Sequence, residues 1–125
     1  MRIGLISDTH IYYESELLPA SLLDALRGVD LILHAGDIHI LQVLDWLGEI
    51  APVRAAWGYG DPLPERDPKS RLHRRQVVEV DGHRIGLIHN LASPETPLRI
   101  VDTLNLPSAP MDLIMSNTIG QHVDA

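Results

Sequence analysis

The sequence predicts an α/β fold organised around a largely parallel sheet. Short, nearly continuous apolar runs occupy residues 2–7, 30–34 and 53–57, and segments of helical periodicity separate them. Such runs are typical of strands that are buried on both faces. Each helix between two of these strands forms a βαβ unit, which is expected to be right-handed.

Composition predicts one globular domain over residues 1–125. The chain is 45% hydrophobic and 22% charged, with a formal net charge of −7. A negative total argues against binding to nucleic acid or to anionic membranes, because both demand a basic surface. The chain has no cysteine, which excludes disulfides, thiolate zinc sites and cysteine nucleophiles. With no signal peptide and no apolar run of membrane-spanning length, we expect a soluble cytoplasmic protein.

Three helices are predicted, over residues 19–27, 38–50 and 93–105. The first has Pro19 at its first helical position, and Gly28 ends it. Four leucines are expected to share its buried face: Leu18, Leu22, Leu23 and Leu26.

A β-hairpin is predicted over residues 76–80 and 83–88. Asp81 and Gly82 lie between its arms and favour a type I′ turn. A last apolar strand is predicted over residues 112–115.

The segment before the hairpin is expected to be exposed. Residues 61–70 are rich in proline and charge, which is typical of a loop. The cationic cluster that follows is interpreted as a solvated loop rather than a phosphate-binding site: Arg71, His73, Arg74 and Arg75.

Two polar residues follow the first strand directly. Asp8 and His10 are two positions apart, so in an extended chain their side chains point the same way. Open α/β sheets place their chemistry at the carboxyl ends of strands. A carboxylate beside an imidazole suits a first-row divalent metal. The alternative is that Asp8 caps a loop and His10 lies on the surface.

The same pattern recurs at two further strand ends. Asp37 follows the second strand after Gly36, so it is expected to lie next to Asp8 on the neighbouring strand. His89 ends the second arm of the hairpin.

The other histidines are given structural interpretations. His34 is expected to be a hydrogen-bonded core residue, and His39 a surface residue at a helix start within reach of the site. His83 is expected to be exposed, and His122 has no assigned role.

Four motifs together resemble the calcineurin-like metallophosphoesterases, and most closely their small bacterial and archaeal phosphodiesterase branch. They are S-D-T-H at residues 7–10, L-H-A-G-D at 33–37, the glycine-containing loop at 58–61, and I-H at 88–89. The resemblance implies a four-layer αββα sandwich with mixed sheets. The second sheet would be incomplete, because the family continues beyond position 125 with further strands.

The resemblance also implies a site for up to two divalent metal ions, Mn²⁺ first and Fe, Zn or Ni as alternatives. Asp8 and His10 would ligate the first ion, Asp37 would bridge both, and His89 would ligate the second. A metal-bound hydroxide would then attack phosphorus in line, without a protein nucleophile. The implied substrate is a small phosphate ester.

The chain departs from the family pattern in its third and last motifs. Tyr59 stands where the family has a metal-binding asparagine, and Gly60 replaces a histidine that some members use near the leaving group. Residues 116–119 are S-N-T-I where the family has G-H-x-H. Four residues are therefore candidate neighbours of the site rather than ligands: Tyr59, Asp61, His39 and Asn117.

Two interpretations of these departures stay open. Either the second metal site has decayed, or the sequence stops before a G-H-x-H motif of a longer protein. Two functions stay open with them, a metal-dependent phosphoesterase and a non-enzymatic protein-binding scaffold of the same fold. The sequence leaves the oligomeric state open, with a homo-oligomer as one alternative.

Overall fold

The computed structural model describes residues 1–90 and the backbone of residues 113–115. Its elements in chain order are β1 (Ile3–Ile6), α1 (Ala20–Ala25), β2 (Leu31–His34), α2 (Gln42–Gly48), β3 (Val53–Ala56), a 3-10 turn (Pro64–Arg66), β4 (Leu72–His73), β5 (Arg75–Val80), β6 (His83–Ile88) and β7 (Leu113–Met115). No helix among the described residues has the length and apolar character that a bilayer crossing requires.

The first sheet is parallel and has the order β1-β2-β3-β4. Ile3 lies opposite Leu31 in its register, and Ile32 lies opposite Val53. Helix α1 connects β1 to β2, and α2 connects β2 to β3. The structure therefore confirms the βαβ units that the sequence predicts.

The second sheet has the order β5-β6-β7 and is mixed. Strands β5 and β6 are antiparallel, whereas β7 runs parallel to β6. Asp81 and Gly82 at the hairpin turn have φ values of 49° and 82°. Both are positive, as a type I′ turn requires, so the predicted hairpin is confirmed.

The first sheet separates two apolar cores. On one face, Ile32 and Val53 pack with the buried residues of α2, such as Leu44. On the other face, Leu33 packs with residues of the second sheet, such as Leu87. The described layers are therefore helix, sheet and sheet. The helix predicted over 93–105 lies outside the described residues.

Helix α1 is shorter than predicted, and two expectations about it are wrong. Pro19 is the N-cap, with an extended ψ of 137°, and not the first helical residue. Leu23 does not join the core, since 38% of it is exposed. Leu18 and Leu26 are buried as expected, but Leu23 lies about 100° around the helix from Leu22 and turns away from the sheet.

Helix α2 begins at Gln42 instead of residue 38. Asp37 and His39 have φ values of 61° and 69°, a left-handed conformation that a right-handed helix excludes. Residues 37–39 therefore form a loop at the end of β2.

The segment before the hairpin is only partly the solvated loop that we expected, since His73, Arg74 and Arg75 are exposed but Arg71 is not. Leu72–His73 forms β4 at the edge of the first sheet. Arg71 is largely buried and binds the carboxylates of Asp67 and Asp45 at 2.9 Å and 2.8 Å. Asp67 is itself buried and accepts backbone N–H bonds from residues 69, 71 and 72. A two-residue strand is too short to show a periodicity, and ion pairing across the fold leaves no local pattern in the sequence.

Candidate metal centre

Three strand ends meet at one point of the structure. Asp8 follows β1, Asp37 follows β2 and His89 follows β6 of the second sheet. One potential ligand atom from each lies within 4.8 Å of the others. The backbone fastens the first two loops together, since the N–H of Asp8 donates to the carbonyl of Gly36 at 2.9 Å.

Asp37 lies at the middle of the cluster. Its Oδ2 is 3.3 Å from Nε2 of His10 and 3.5 Å from Nε2 of His89. The Nε2 of His10 is also 3.5 Å from Oδ1 of Asp8. The structure thus brings together the four residues that the sequence nominates as metal ligands, with a carboxylate between two imidazoles.

His89 is held with one ring nitrogen facing the cluster. Its Nδ1 lies 2.7 Å from the carbonyl oxygen of Ala35, an acceptor, so Nδ1 is the donor, and in the neutral ring Nε2 carries the lone pair. Metal-ligating histidines are commonly oriented in this way. A Cβ at Gly36, whose φ is 107°, would come within 2.8 Å of that Nδ1.

The carboxylate of Asp8 is kept ionised. Burial by itself would raise the pKa of Asp8, but the hydroxyl of Ser7, hydrogen bonding with Asp37 and the imidazoles of His89 and His10 outweigh it. The pKa of Asp8 is therefore below its ordinary value. An ionised carboxylate is the form that ligates a cation.

Asp61 positions the Asp37 loop and does more than close a turn. Its carboxylate accepts the backbone N–H groups of Asp37 at 3.0 Å, His39 at 2.9 Å and Gly58 at 2.8 Å. Only 8% of Asp61 is exposed. The indole N–H of Trp57 donates to the Asp61 carbonyl at 3.1 Å. These bonds stabilise the positive φ values at residues 37 and 39, which delay the start of the predicted helix until Gln42.

Tyr59 points away from the cluster. It is 93% exposed, so it offers no ligand at the place of the family's asparagine. Gly58, beside it, leaves room for Asp37, since a Cβ there would collide with the Asp37 carboxylate and amide. Asn117 and His122 lie outside the described residues.

His39 is not the surface residue that we expected. Its ring is half-buried, stacks on Tyr12 at a centroid distance of 4.4 Å and meets His10 edge-on at 4.9 Å. The late start of helix α2 causes this difference, because residue 39 lies before the helix and its positive φ turns it towards the site.

His34 is a satisfied core histidine, as predicted. Its Nδ1 accepts the N–H of Gly36 at 3.0 Å, and its Nε2 lies 3.0 Å from the hydroxyl of Thr9. Burial lowers the pKa of His34 to about 3, so the ring is neutral.

The sequence model of the calcineurin-like phosphoesterase superfamily domain matches residues 1–114. The chain belongs to this superfamily. Two curated archaeal relatives, both named probable metallophosphoesterases, are similar to it. The protein from Methanocaldococcus jannaschii is 39% identical over 89 residues, and that from Methanothermobacter thermautotrophicus is 37% identical over 119 residues. The matches cover 71% and 94% of this chain, but only 43% and 66% of the relatives' own lengths.

Solved structures confirm the metallophosphoesterase-like α/β fold. Vacuolar protein sorting 29 from Cryptosporidium parvum superposes with a TM-score of 0.69 at 22% identity, over 91% of this chain and 62% of that one. A Thermotoga maritima protein gives a TM-score of 0.68 at 26% identity, over 92% and 71%. A third match is a zinc complex of Entamoeba histolytica Vps29, with a TM-score of 0.68 at 21% identity, over 93% and 63%.

The donor set of this phosphoesterase-superfamily chain fits divalent cations. Carboxylate oxygens and imidazole nitrogens together suit first-row divalent metals, and the superfamily implies binding of such ions. The lone pair of His89 and the ionised carboxylate of Asp8 face the same point, which is the arrangement that a cation requires.

Proposed function

We propose that this chain is a metal-dependent phosphoesterase that acts on small phosphodiesters. Membership of the superfamily suggests metal-dependent phosphoester hydrolysis. The observation that supports this function most strongly is the position of Asp37, whose Oδ2 lies within 3.5 Å of two imidazoles from different sheets. A shared carboxylate between two ligand groups is the feature of a two-metal site.

Asp8, His10 and Asp37 would hold one cation, and Asp37 with His89 would hold a second. Mn²⁺ is the proposed ion, with Fe, Zn and Ni as alternatives that the same donors accommodate. When bound, such cations supply Lewis acidity, which activates water and offsets the charge on phosphoryl oxygens. No protein nucleophile takes part in the proposed reaction.

The chain's own residues prepare the ligands. The hydrogen bond from His89 Nδ1 to Ala35 fixes the tautomer, so Nε2 stays available. Ser7 orients the carboxylate of Asp8. Asp61 accepts the amide N–H of Asp37, which keeps the shared carboxylate in place.

The test compares two histidines of the same strand. We expect chelated protein to hydrolyse bis-nitrophenyl phosphate only after Mn²⁺ is restored. His89→Gln should then lower kcat at least 100-fold, whereas His83→Gln, at the opposite end of β6, should leave kcat unchanged. A wild-type rate that is equal in chelator and in Mn²⁺ would overturn the proposal.

Tyr59 favours a second candidate, a protein-binding module without turnover. Its outward side chain leaves one expected ligand position without a donor among the described residues, and it presents an exposed ring beside the site. A protein of this kind would bind metal without hydrolysing any phosphodiester in the assay above. The cytoplasmic location and the single domain over residues 1–125 stay predictions from the sequence.

A further inference from the structure

Three aromatic rings extend outward from the metal-ligand cluster. His10 has its Nε2 3.3 Å from Asp37. The ring of His39 meets His10 edge-on, with centroids 4.9 Å apart and an interplanar angle of 81°. Tyr12 stacks on His39 at 4.4 Å and 29°, and its centroid is 6.5 Å from that of His10. The outermost ring thus lies one side chain beyond a proposed ligand.

The stack is held by the same carboxylate that positions the shared ligand. Asp61 accepts the N–H of His39 at 2.9 Å and the N–H of Asp37 at 3.0 Å. A Cβ at Gly60 would come within 2.9 Å of His39 Cε1, so the ring fits because this position lacks a side chain. The N–H of Tyr12 donates to the Glu16 carboxylate at 3.2 Å. This bond holds the Tyr12 backbone, and the stack on His39 places the Tyr12 ring beside the site before any ligand binds.

His39 serves this stack as an aromatic face. Within the described part of the chain, its Nε2 is buried and has no hydrogen-bond partner. A buried ring nitrogen is poorly placed to exchange protons with a substrate. The His39 ring packs against one face of the Tyr12 ring, and Tyr12 itself stays 55% exposed.

The exposed tyrosines of this chain are concentrated at one edge. The chain has no phenylalanine and three tyrosines. Tyr12 and Tyr13 follow β1, Tyr59 follows β3, and all three are more than half exposed. These loops leave the carboxyl ends of the parallel strands, where the metal-ligand cluster lies. An aromatic face that is exposed and held in place is a stacking surface for a second ring.

We propose that Tyr12, backed by His39, is a stacking platform for an aromatic group on the phosphate-ester substrate. This inference rests on the proposed function, because it assumes that the phosphate binds at the adjacent cluster. The recognised chemistry is a flat ring joined to a phosphate, either a nucleobase through its sugar or a simple aryl alcohol. The platform contains no permanently charged group, so it selects the ring and not the phosphate.

Equilibrium binding of phosphonates tests the platform independently of turnover, because their P–C bond is not hydrolysed. Titration calorimetry in Mn²⁺ would compare phenylphosphonate, adenosine 5′-methylenephosphonate and methylphosphonate on the wild type, Tyr12→Leu and Tyr13→Leu. Loss of one base–aromatic stack weakens binding by about 1–3 kcal/mol, or roughly 5- to 150-fold. We expect about tenfold for Tyr12→Leu with a ring-bearing ligand and no change with methylphosphonate. Tyr13 is a matched exposed tyrosine, so Tyr13→Leu should leave the affinity for all three ligands unchanged.

The pattern of losses identifies the source of the ring. A larger loss for the adenosine phosphonate indicates a nucleobase, and a larger loss for phenylphosphonate indicates a simple aryl group. The inference is overturned if the wild type binds none of the phosphonates or shows no preference for a ring. It is equally overturned if Tyr12→Leu weakens all three ligands alike. If the protein hydrolyses bis-nitrophenyl phosphate but binds the phosphonates without ring selectivity, only the platform is refuted. If ring selectivity depends on Tyr12 but no hydrolysis occurs, only the phosphoesterase activity is refuted.

Discussion

Replacing Asp61 with alanine should destabilise the protein more than replacing an exposed carboxylate residue with alanine. The change removes the acceptor of three backbone N–H groups, those of Asp37, His39 and Gly58. The buried Gly58 donor should cost about 1–3 kcal/mol when it is left unsatisfied, and each of the two partly buried donors about 0.5–1.5 kcal/mol. The expected loss in free energy of unfolding is therefore about 2–6 kcal/mol.

The assay is urea denaturation in chelator, so that metal binding does not contribute to stability. Asp24→Ala is the matched control, because Asp24 is an exposed carboxylate on α1 that pairs with Arg27 at 2.8 Å. An exposed pair of this kind contributes at most about 1 kcal/mol. If Asp61→Ala unfolds with a free energy equal to that of Asp24→Ala, Asp61 does not hold the site loop and the argument fails. In metal-containing buffer, the misplaced Asp37 should also lower metal affinity about 10- to 100-fold.

Three further predictions concern buried groups around the same sheet. His34 has a pKa of about 3 in the folded protein and about 6.5 when unfolded, so the unfolded state binds one more proton between these values. The stability due to His34 is complete above pH 6.5 and falls by about 1.4 kcal/mol per pH unit below it. His34→Gln should therefore reduce the slope of the free energy of unfolding against pH, on the acid side, by that amount. An unchanged slope would contradict the assignment. Asp67→Ala should cost about 3 kcal/mol in urea denaturation, since it removes a partner of the largely buried Arg71, and a loss below 1 kcal/mol would refute the structural role. Gly58→Ala should fold but bind metal more weakly in equilibrium titrations, because its Cβ would meet Asp37; wild-type affinity would show that the carboxylate does not need its present position.

Local patterns predicted much of this fold because the physical cause of each element lies within it. Apolar runs marked β1, β2 and β3 correctly, and Asp81-Gly82 marked the hairpin through its own backbone preference. Asp8, His10 and Asp37 follow from the rule that parallel strands end at one edge, which needs only the strand assignments, whereas His89 of the second sheet was nominated through the resemblance to the metallophosphoesterases. Their convergence was therefore foreseeable from the sequence, and the coordination of metal by them stays a prediction.

Three of the failures share one cause, which is contact between residues distant in sequence. Helix α2 starts late because Asp61, 24 residues beyond Asp37, binds that residue's amide. The inward turn of His39 follows from the same carboxylate. Arg71 is not part of the expected solvated cluster, because Asp45, 26 residues earlier, binds its guanidinium. A helical pattern or a charge run carries no information about such partners, so these features required the structure.

Bound metal on purified protein tests the central claim most directly, with elemental analysis of the wild type, Asp37→Asn and Asp30→Asn. Asp30 lies at the opposite end of β2 from Asp37, so it controls for loss of one carboxylate on the same strand. The account predicts that the wild type and Asp30→Asn carry equal metal, up to two equivalents, and that Asp37→Asn keeps its circular dichroism spectrum but loses the metal. A folded wild type without metal, or an Asp37→Asn variant with the full wild-type content, would contradict it.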